Sequence, residues 1–177
     1  TNIYENKNVI SIHAESIMNY LIGLEINGVE VTPNLNKLAG EGMYFSNFYS
    51  QESVGTSSDT EFTFNTSLMP ASSGTVFVSY WDREYVSTPK LLKEKGYYTF
   101  SMHANNCTMW NRNNMYPSLG YDRFYCYTKD YVIDEEVGIG LSDKSFFNQS
   151  VEIIKNIDST YDNYYGTLIM LTNHTPW

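Results

Sequence analysis

The sequence predicts an α/β domain whose mainly parallel sheet is flanked by helices. Short β-branched apolar runs of strand length recur at Asn8 to His13, Tyr97 to Met102 and Thr167 to Thr172. Segments with helical spacing and helix-start signals separate them, which is the alternation that builds a parallel sheet covered on both faces. Each of the three strands runs into a residue able to hold a metal or a phosphate: Glu15, His103 and, after Asn173, His174. In open α/β sheets ligands sit beyond the carboxyl ends of the strands, so the three endings point to one place.

Taken in order, the first strand is followed by Ser16 to Leu24, read as a short helix or a loop. Thr32-Pro33 offers an N-cap with Pro at the first helical position. Leu35, Leu38 and Ala39 form that helix's apolar face, and Gly40 or Gly42 ends it. Met43 to Tyr49 reads as a second strand. After a polar loop over Gln51 to Ser58, Ser58 and Glu61 match a capping box ahead of Phe62 and Phe64, so a helix is expected to start at Ser58. Met69 to Val86 carries Pro70, Gly74 and several Ser residues, which suits loops and a short strand. Thr88-Pro89 repeats the cap device for a helix through Lys95 that Gly96 stops. Asn105 to Asp122 is polar and turn-rich, as expected of a compact functional loop. Phe146, Phe147, Val151, Ile154 and Ile157 place a helix over Asp143 to Asp158. A complete α/β domain more often ends in a covering helix, so residues 1–177 are expected to be the N-terminal portion of a larger domain.

The bulk composition bounds the function. At 177 residues, 42% hydrophobic and 18% charged, the chain is globular, with room for one sizeable core. A net charge of -9 argues against a nucleic-acid surface and, more weakly, against a broad polybasic membrane patch. A single anionic headgroup stays compatible, because one Arg beside a metal ion overrides a distant negative field. No apolar run reaches the about 18 residues of a membrane helix, and Thr1 to Lys7 lacks a signal-peptide core. Cys107 and Cys126 match no disulfide framework or zinc knuckle, so two free thiols are expected, with one bridge as the alternative. Sixteen Tyr and nine Phe are read as packing residues, since their spacing singles out no carbohydrate surface.

The chemistry gathers at the strand ends. Ser57 just precedes the expected cap, where backbone N–H groups and the helix dipole favour negative charge, although Thr56, Ser57 and Ser58 also suit plain capping. Glu15 offers a hard carboxylate oxygen of the kind divalent cations prefer. Arg112 and Trp110 offer a forked donor and an apolar wall to a phosphate ester. With His103 and His174 these groups form a parts list for metal-assisted phosphoryl transfer.

Segments spread along the whole chain then carry a resemblance. They are Asn8 to Ser16, Val31-Thr32-Pro33-Asn34-Leu35, Phe45 to Tyr49, Gly55-Thr56-Ser57-Ser58-Asp59-Thr60-Glu61-Phe62, His103 through Trp110-Asn111-Arg112, Gly120 to Phe124, Asp143 to Phe147, and Leu171 to Pro176. Together they resemble the lipoteichoic acid synthase family, membrane-anchored phosphoglycerol transferases of the sulfatase and alkaline-phosphatase superfamily. The resemblance implies a sulfatase-like fold, Glu15 as a metal ligand, and Ser57 as both metal ligand and nucleophile of a covalent glycerophosphate intermediate. The family's nucleophile is Thr, which makes Thr56 the rival position. His103, Trp110, Arg112 and His174 match residues lining the glycerophosphate pocket.

The implied cofactor is a divalent metal, Mn2+ in the family, with Mg2+ or Zn2+ as alternatives. The implied partners are an anionic phospholipid headgroup and a glycolipid or polymer acceptor. The implied location is the outer face of the cell membrane, anchored through segments outside this chain. The family's further Asp-His metal pair has no counterpart, because the three His stand at 13, 103 and 174 and none follows an Asp. Alternatives of the same superfamily are a phosphoethanolamine transferase, a phosphodiesterase, or a non-catalytic phosphate-binding relative. A sulfatase proper is disfavoured, because Ser57 is followed by Ser58-Asp59-Thr60-Glu61 and not by the Pro or Ala and then Arg of its nucleophile motif.

Overall fold

The computed structural model describes residues 3–175, so Pro176, the end of the last matching segment, lies outside the described residues. The chain divides into two compact units, Thr1–Glu15 with Gln51–Trp177 and Ser16–Ser50. The larger holds a four-stranded sheet: β1 (Val9–His13), β2 (Tyr98–His103), β3 (Arg123–Cys126) and β4 (Tyr164–Ile169), in the order β1-β4-β2-β3. All three pairings are parallel, as expected for strands joined through helical connections.

Alternation along the strands separates two cores. Phe100, Met102 and Leu168 face a cluster closed by the helix Asp143–Asp158, whose bounds are those the sequence predicts. Tyr165 and Ile169 face the opposite cluster, built with Phe62, Phe77, Met115 and Tyr116. That second face is unusually polar: Thr99, Ser101, His103 and Thr167 all lie on it and are at most 1% exposed. Gly166 sits between Phe100 and Ile10 in the ladder, and a Cβ there would come within 2.4 Å of the Phe100 ring.

Several expectations are corrected. The helix α1 (Thr56–Thr66) is capped by Gly55 and starts two residues before Ser58. Ser58 is buried, its hydroxyl donating to the Gly55 carbonyl at 2.7 Å, while Glu61 turns inward, so there is no capping box. The Thr88–Lys93 helix is capped by Ser87 and not Thr88. Residues 105–122 contain the helix α2 (Arg112–Leu119), which a polar, Asn-rich sequence hides because its buried side is mainly Arg112, Met115, Tyr116 and Leu119. The region expected to hold a short strand forms one helical turn, Val76–Ser79. The last strand begins at Tyr164 and ends at Ile169. Leu171 and Thr172 leave the ladder, and their amides donate to the Asp143 carboxylate at 2.7 and 3.2 Å.

In the smaller unit an antiparallel hairpin joins Glu25–Ile26 to Val29–Glu30. Asn27 and Gly28 both have positive φ, the Asn-Gly turn signal of a two-residue hairpin. The helix Pro33–Glu41 follows as expected, held by Asn36, whose side chain accepts from the Gly23 amide at 2.7 Å. Met43 to Tyr49 forms no strand. Extended residues become a strand only beside a neighbouring backbone, and here Phe45 and Phe48 stay 68% and 84% exposed.

The two cysteines are joined as a Cys107–Cys126 disulfide, which overturns the expectation of free thiols. The sheet explains the pairing: Cys126 stands beside His103 in the ladder, and Cys107 lies four residues beyond His103. Reducing a bridge between residues 19 apart is expected to cost about 3 kcal/mol of stability. Urea unfolding with and without dithiothreitol measures this, and an unchanged midpoint would mean the bridge does not form in solution.

Candidate active site

The carboxyl ends of the strands carry the site. His13, Ile169, His103 and Cys126 form one row of the parallel ladder, so β1, β4, β2 and β3 end together. Two residues past His13 the chain reaches Glu15, whose amide bonds to the His13 carbonyl at 3.0 Å. The Ser57 hydroxyl, in the first turn of α1, donates a short hydrogen bond to Glu15 Oε1 across 42 residues of sequence. The two side chains the resemblance assigns to metal and nucleophile are thus in contact. Thr56, the rival hydroxyl, is exposed and has no such bond to Glu15.

Ser57 is held by its neighbours. One oxygen of the fully buried Asp59 carboxylate accepts from the amides of Ser53 and Gly55 at 3.0 and 2.9 Å, tying the loop to the helix. Gly55 is required by close approach, because a Cβ would lie 2.3 Å from Asp59 Oδ1 and 2.8 Å from the Thr75 side chain. Between them Thr56 takes φ 43°, a left-handed conformation that is costly for a β-branched residue and clusters at functional sites. Asp59 is a residue that sequence reasoning missed. Its proximity to the helix start was visible, but its backward reach was not.

His103 closes β2 and is 1% exposed. Its Nδ1 lies 3.2 Å from the Ile169 carbonyl, which can only accept, so Nδ1 carries the proton and Nε2 keeps its lone pair. Burial first, and then the nearby Arg112 charge, hold its pKa well below the usual 6.5, against the opposing pull of the carbonyl. The native state therefore stays neutral where the unfolded chain takes up a proton. The resulting stability is complete above about pH 6.5 and declines as pH falls below it, by at most about 1.4 kcal/mol per pH unit for this one group. Urea unfolding at pH 7.5 and 5.5 should show the decline, and His103→Gln should lessen it. An identical pH profile in the variant would contradict a buried neutral imidazole.

Arg112 opens α2 and is 1% exposed. Its Nε and Nη2 donate to Glu61 Oε1 at 3.1 and 2.6 Å, and Nη1 makes a longer contact of 3.4 Å to the Met109 carbonyl. The fork expected to face a phosphate is therefore engaged by Glu61, and Nη1 is the end left weakly bonded. Burial alone would lower the guanidinium pKa, but the Glu61 carboxylate reverses this and raises it, with a smaller contribution from Glu15. Glu61 is the second residue the sequence did not reveal, since its spacing from Ser58 imitates a cap.

Trp110 is half-buried against the core cluster that includes Phe77 and Met115. Trp110 and Asn111 both have positive φ, 54° and 59°, and the Asn111 side-chain Nδ2 anchors the turn by donating to the Phe77 carbonyl at 2.8 Å. His174 follows β4, half-buried, with its amide bonded to the Leu171 carbonyl at 2.9 Å. It stands five residues past Ile169, whose carbonyl bonds the His103 ring.

Glu15 and Ser57 supply two hard oxygen donors at one point, which fits one side of a divalent cation's shell. Among the described residues no three His, Cys, Asp or Glu side chains converge as a fuller ligand set. No helix is long and apolar enough to cross a membrane among the described residues.

Comparison with known proteins agrees with this arrangement. The family model described as Sulfatase matches residues 7–177. Lipoteichoic acid synthase 1 of Bacillus subtilis is 39% identical over 178 residues, covering 98% of this chain and 27% of its own length. The lipoteichoic acid synthase of Staphylococcus aureus is 40% identical over 180 residues, covering 99% and 27%. The chain thus spans about a quarter of the length of these relatives. Among solved structures, the lipoteichoic acid synthase LtaP from Listeria monocytogenes superposes with a TM-score of 0.93 at 32% identity, covering 97% of this chain and 42% of that one. The Streptococcus pyogenes phosphoglycerol transferase GacH, solved with sn-glycerol-1-phosphate, shares the fold with a TM-score of 0.71 at 22% identity, covering 100% and 47%. Strand order, the meeting of Ser57 with Glu15 and these similarities lead to one conclusion: the chain belongs to the sulfatase family, and its likeness there runs to the lipoteichoic acid synthases.

Proposed function

We propose that this chain is part of the extracellular catalytic domain of a metal-dependent phosphoglycerol transferase, which takes its phosphoryl group from a phosphatidylglycerol-type lipid. The observation that carries the proposal is the Ser57–Glu15 hydrogen bond at the carboxyl end of a parallel sheet. Likeness to lipoteichoic acid synthases supports the substrate class. The short share of those relatives that is covered, with exposed Ile10 and Ile12 on the edge strand β1, supports a larger domain. The Cys107–Cys126 bridge supports an oxidising exterior.

In this mechanism the Ser57 oxygen forms a bond to phosphorus as the bond to the diacylglycerol oxygen breaks. Diacylglycerol leaves with a proton, and glycerophosphate remains on Ser57. An acceptor hydroxyl of a glycolipid or growing polymer then displaces Ser57, which recovers its proton. In the resting state the Ser57 hydroxyl keeps its proton and donates it in a hydrogen bond to the Glu15 carboxylate. Glu15 and Ser57 would hold the divalent cation, Mn2+ by family likeness, which when bound acidifies the hydroxyl and offsets phosphoryl charge. The first turn of α1 offers its backbone dipole to the phosphoryl oxygens. Arg112, through Nη1, and His174 line the phosphoryl group, and Trp110 packs on the glycerol. His103, neutral with a free Nε2, accepts from a glycerol hydroxyl and does not act as a cation.

The test uses the full-length protein on phosphatidylglycerol vesicles with Mn2+. Diacylglycerol release that stops on chelation is the expected outcome. Release from phosphatidylethanolamine vesicles alone would reassign the donor, and no release from either would remove the enzymatic reading.

A further inference from the structure

We propose that Glu61 is a positioning residue for this reaction: it locks the Arg112 guanidinium to the helix that carries Ser57, fixing phosphate-facing cation and nucleophile relative to one another. The inference rests on the function proposed above.

Glu61 and Arg112 are both 1% exposed. Buried ion pairs of this kind are often no more stabilising than apolar residues of the same volume, so stability alone does not account for one. Position does. Glu61 stands four residues after Ser57 in α1, on the same side of the helix and one turn deeper into the domain. Its Oε1 accepts from Arg112 Nε and Nη2, and its Oε2 accepts from the Tyr116 hydroxyl at 2.5 Å. Tyr116 belongs to α2, the helix that Arg112 opens, so one carboxylate clamps α1 to α2 at two points.

A planar guanidinium held along one edge has no rotational freedom left, and its remaining end, Nη1, has a fixed direction. The spacing between the attacking hydroxyl and the cation is thereby set by a single helical turn, although residues 67–111 separate the two helices in sequence. The wider wall is equally ordered: the Tyr121 hydroxyl donates to Asn65 at 3.0 Å and meets Thr167 at 2.8 Å.

The experiment is a double-mutant cycle in the full-length protein, reading diacylglycerol release from phosphatidylglycerol vesicles per folded molecule. Glu61→Gln is expected to lower kcat about tenfold or more with KM within about threefold, because the lost interaction matters most in the transition state. In an Arg112→Lys background the same change should add less than about twofold, because Glu61 acts through the fork that Lys lacks. Unchanged kcat per folded molecule, or full additivity with Arg112→Lys, would overturn the proposal and leave Glu61 a structural ion.

Should Glu61→Gln not fold, Tyr116→Phe removes one anchor of the carboxylate and leaves the ion pair. It is expected to lower kcat about threefold, an effect absent beside Arg112→Lys, and no effect in either background overturns the proposal. Ser57→Ala separates the two levels of inference. If it abolishes release while Glu61 variants behave as wild type, only the Glu61 role fails. If it does not, or the wild type releases nothing, the functional reading fails and takes the Glu61 role with it.

Discussion

Ser57→Ala is expected to reduce diacylglycerol release by a factor of about 10^4 or more while the protein still folds, since no other group replaces a covalent nucleophile. The fold should survive because the change removes one hydroxyl from a half-buried position, where a single hydrogen bond contributes about 1 kcal/mol. Glu15, its partner, is itself half-buried and can turn to water. Thermal melting paired with the vesicle assay separates the two effects. Thr56→Ala is the control, because Thr56 is exposed and its backbone carbonyl, which the change keeps, is what accepts from the Thr60 hydroxyl. Retained turnover in Ser57→Ala with loss in Thr56→Ala would move the nucleophile one residue back.

Arg112→Met is expected to lower stability by about 3–5 kcal/mol, because it strands the Glu61 carboxylate in the core without its countercharge. This is the largest stability effect expected of any single substitution at the site. Tyr116 continues to donate to Glu61, but one neutral donor does not replace a fork. Urea unfolding at pH 7 measures the loss, and a change under about 1 kcal/mol would show that the pair is solvated in solution. Arg112 removal is also expected to weaken binding of a phosphate ester, which must be read on the folded fraction alone. Unchanged affinity there would count against Arg112 as a pocket residue, whatever the stability result.

How far the sequence reached depends on the kind of signal. Strand endings were legible: β-branched runs ending at His13 and His103 are local patterns, and the structure puts both in one row of the ladder. The Asp143–Asp158 helix was legible because its apolar face repeats at helical spacing over 16 residues. By contrast, α2 buries an arginine and a tyrosine among asparagines, so its period is masked by polar residues that find partners only in the folded state. Ser58 and Glu61 carried a valid local cap signal that tertiary pairing overrode. The Asn27-Gly28 hairpin went unread although its turn signal was explicit. Cys107 and Cys126 were ordinary in spacing, and only β2–β3 pairing brings them together.

By itself the sequence determined the parallel α/β class and where each chemical group enters the chain, because hydrophobic period and helix-start signals act over a few residues. It did not determine which groups touch. That Ser57 meets Glu15, that Glu61 claims the fork of Arg112, and that His103 is neutral follow from contacts between residues 42 to 66 positions apart. Such contacts exist only once the sheet has aligned its carboxyl ends and burial has removed the water that would otherwise satisfy each charge and hydroxyl.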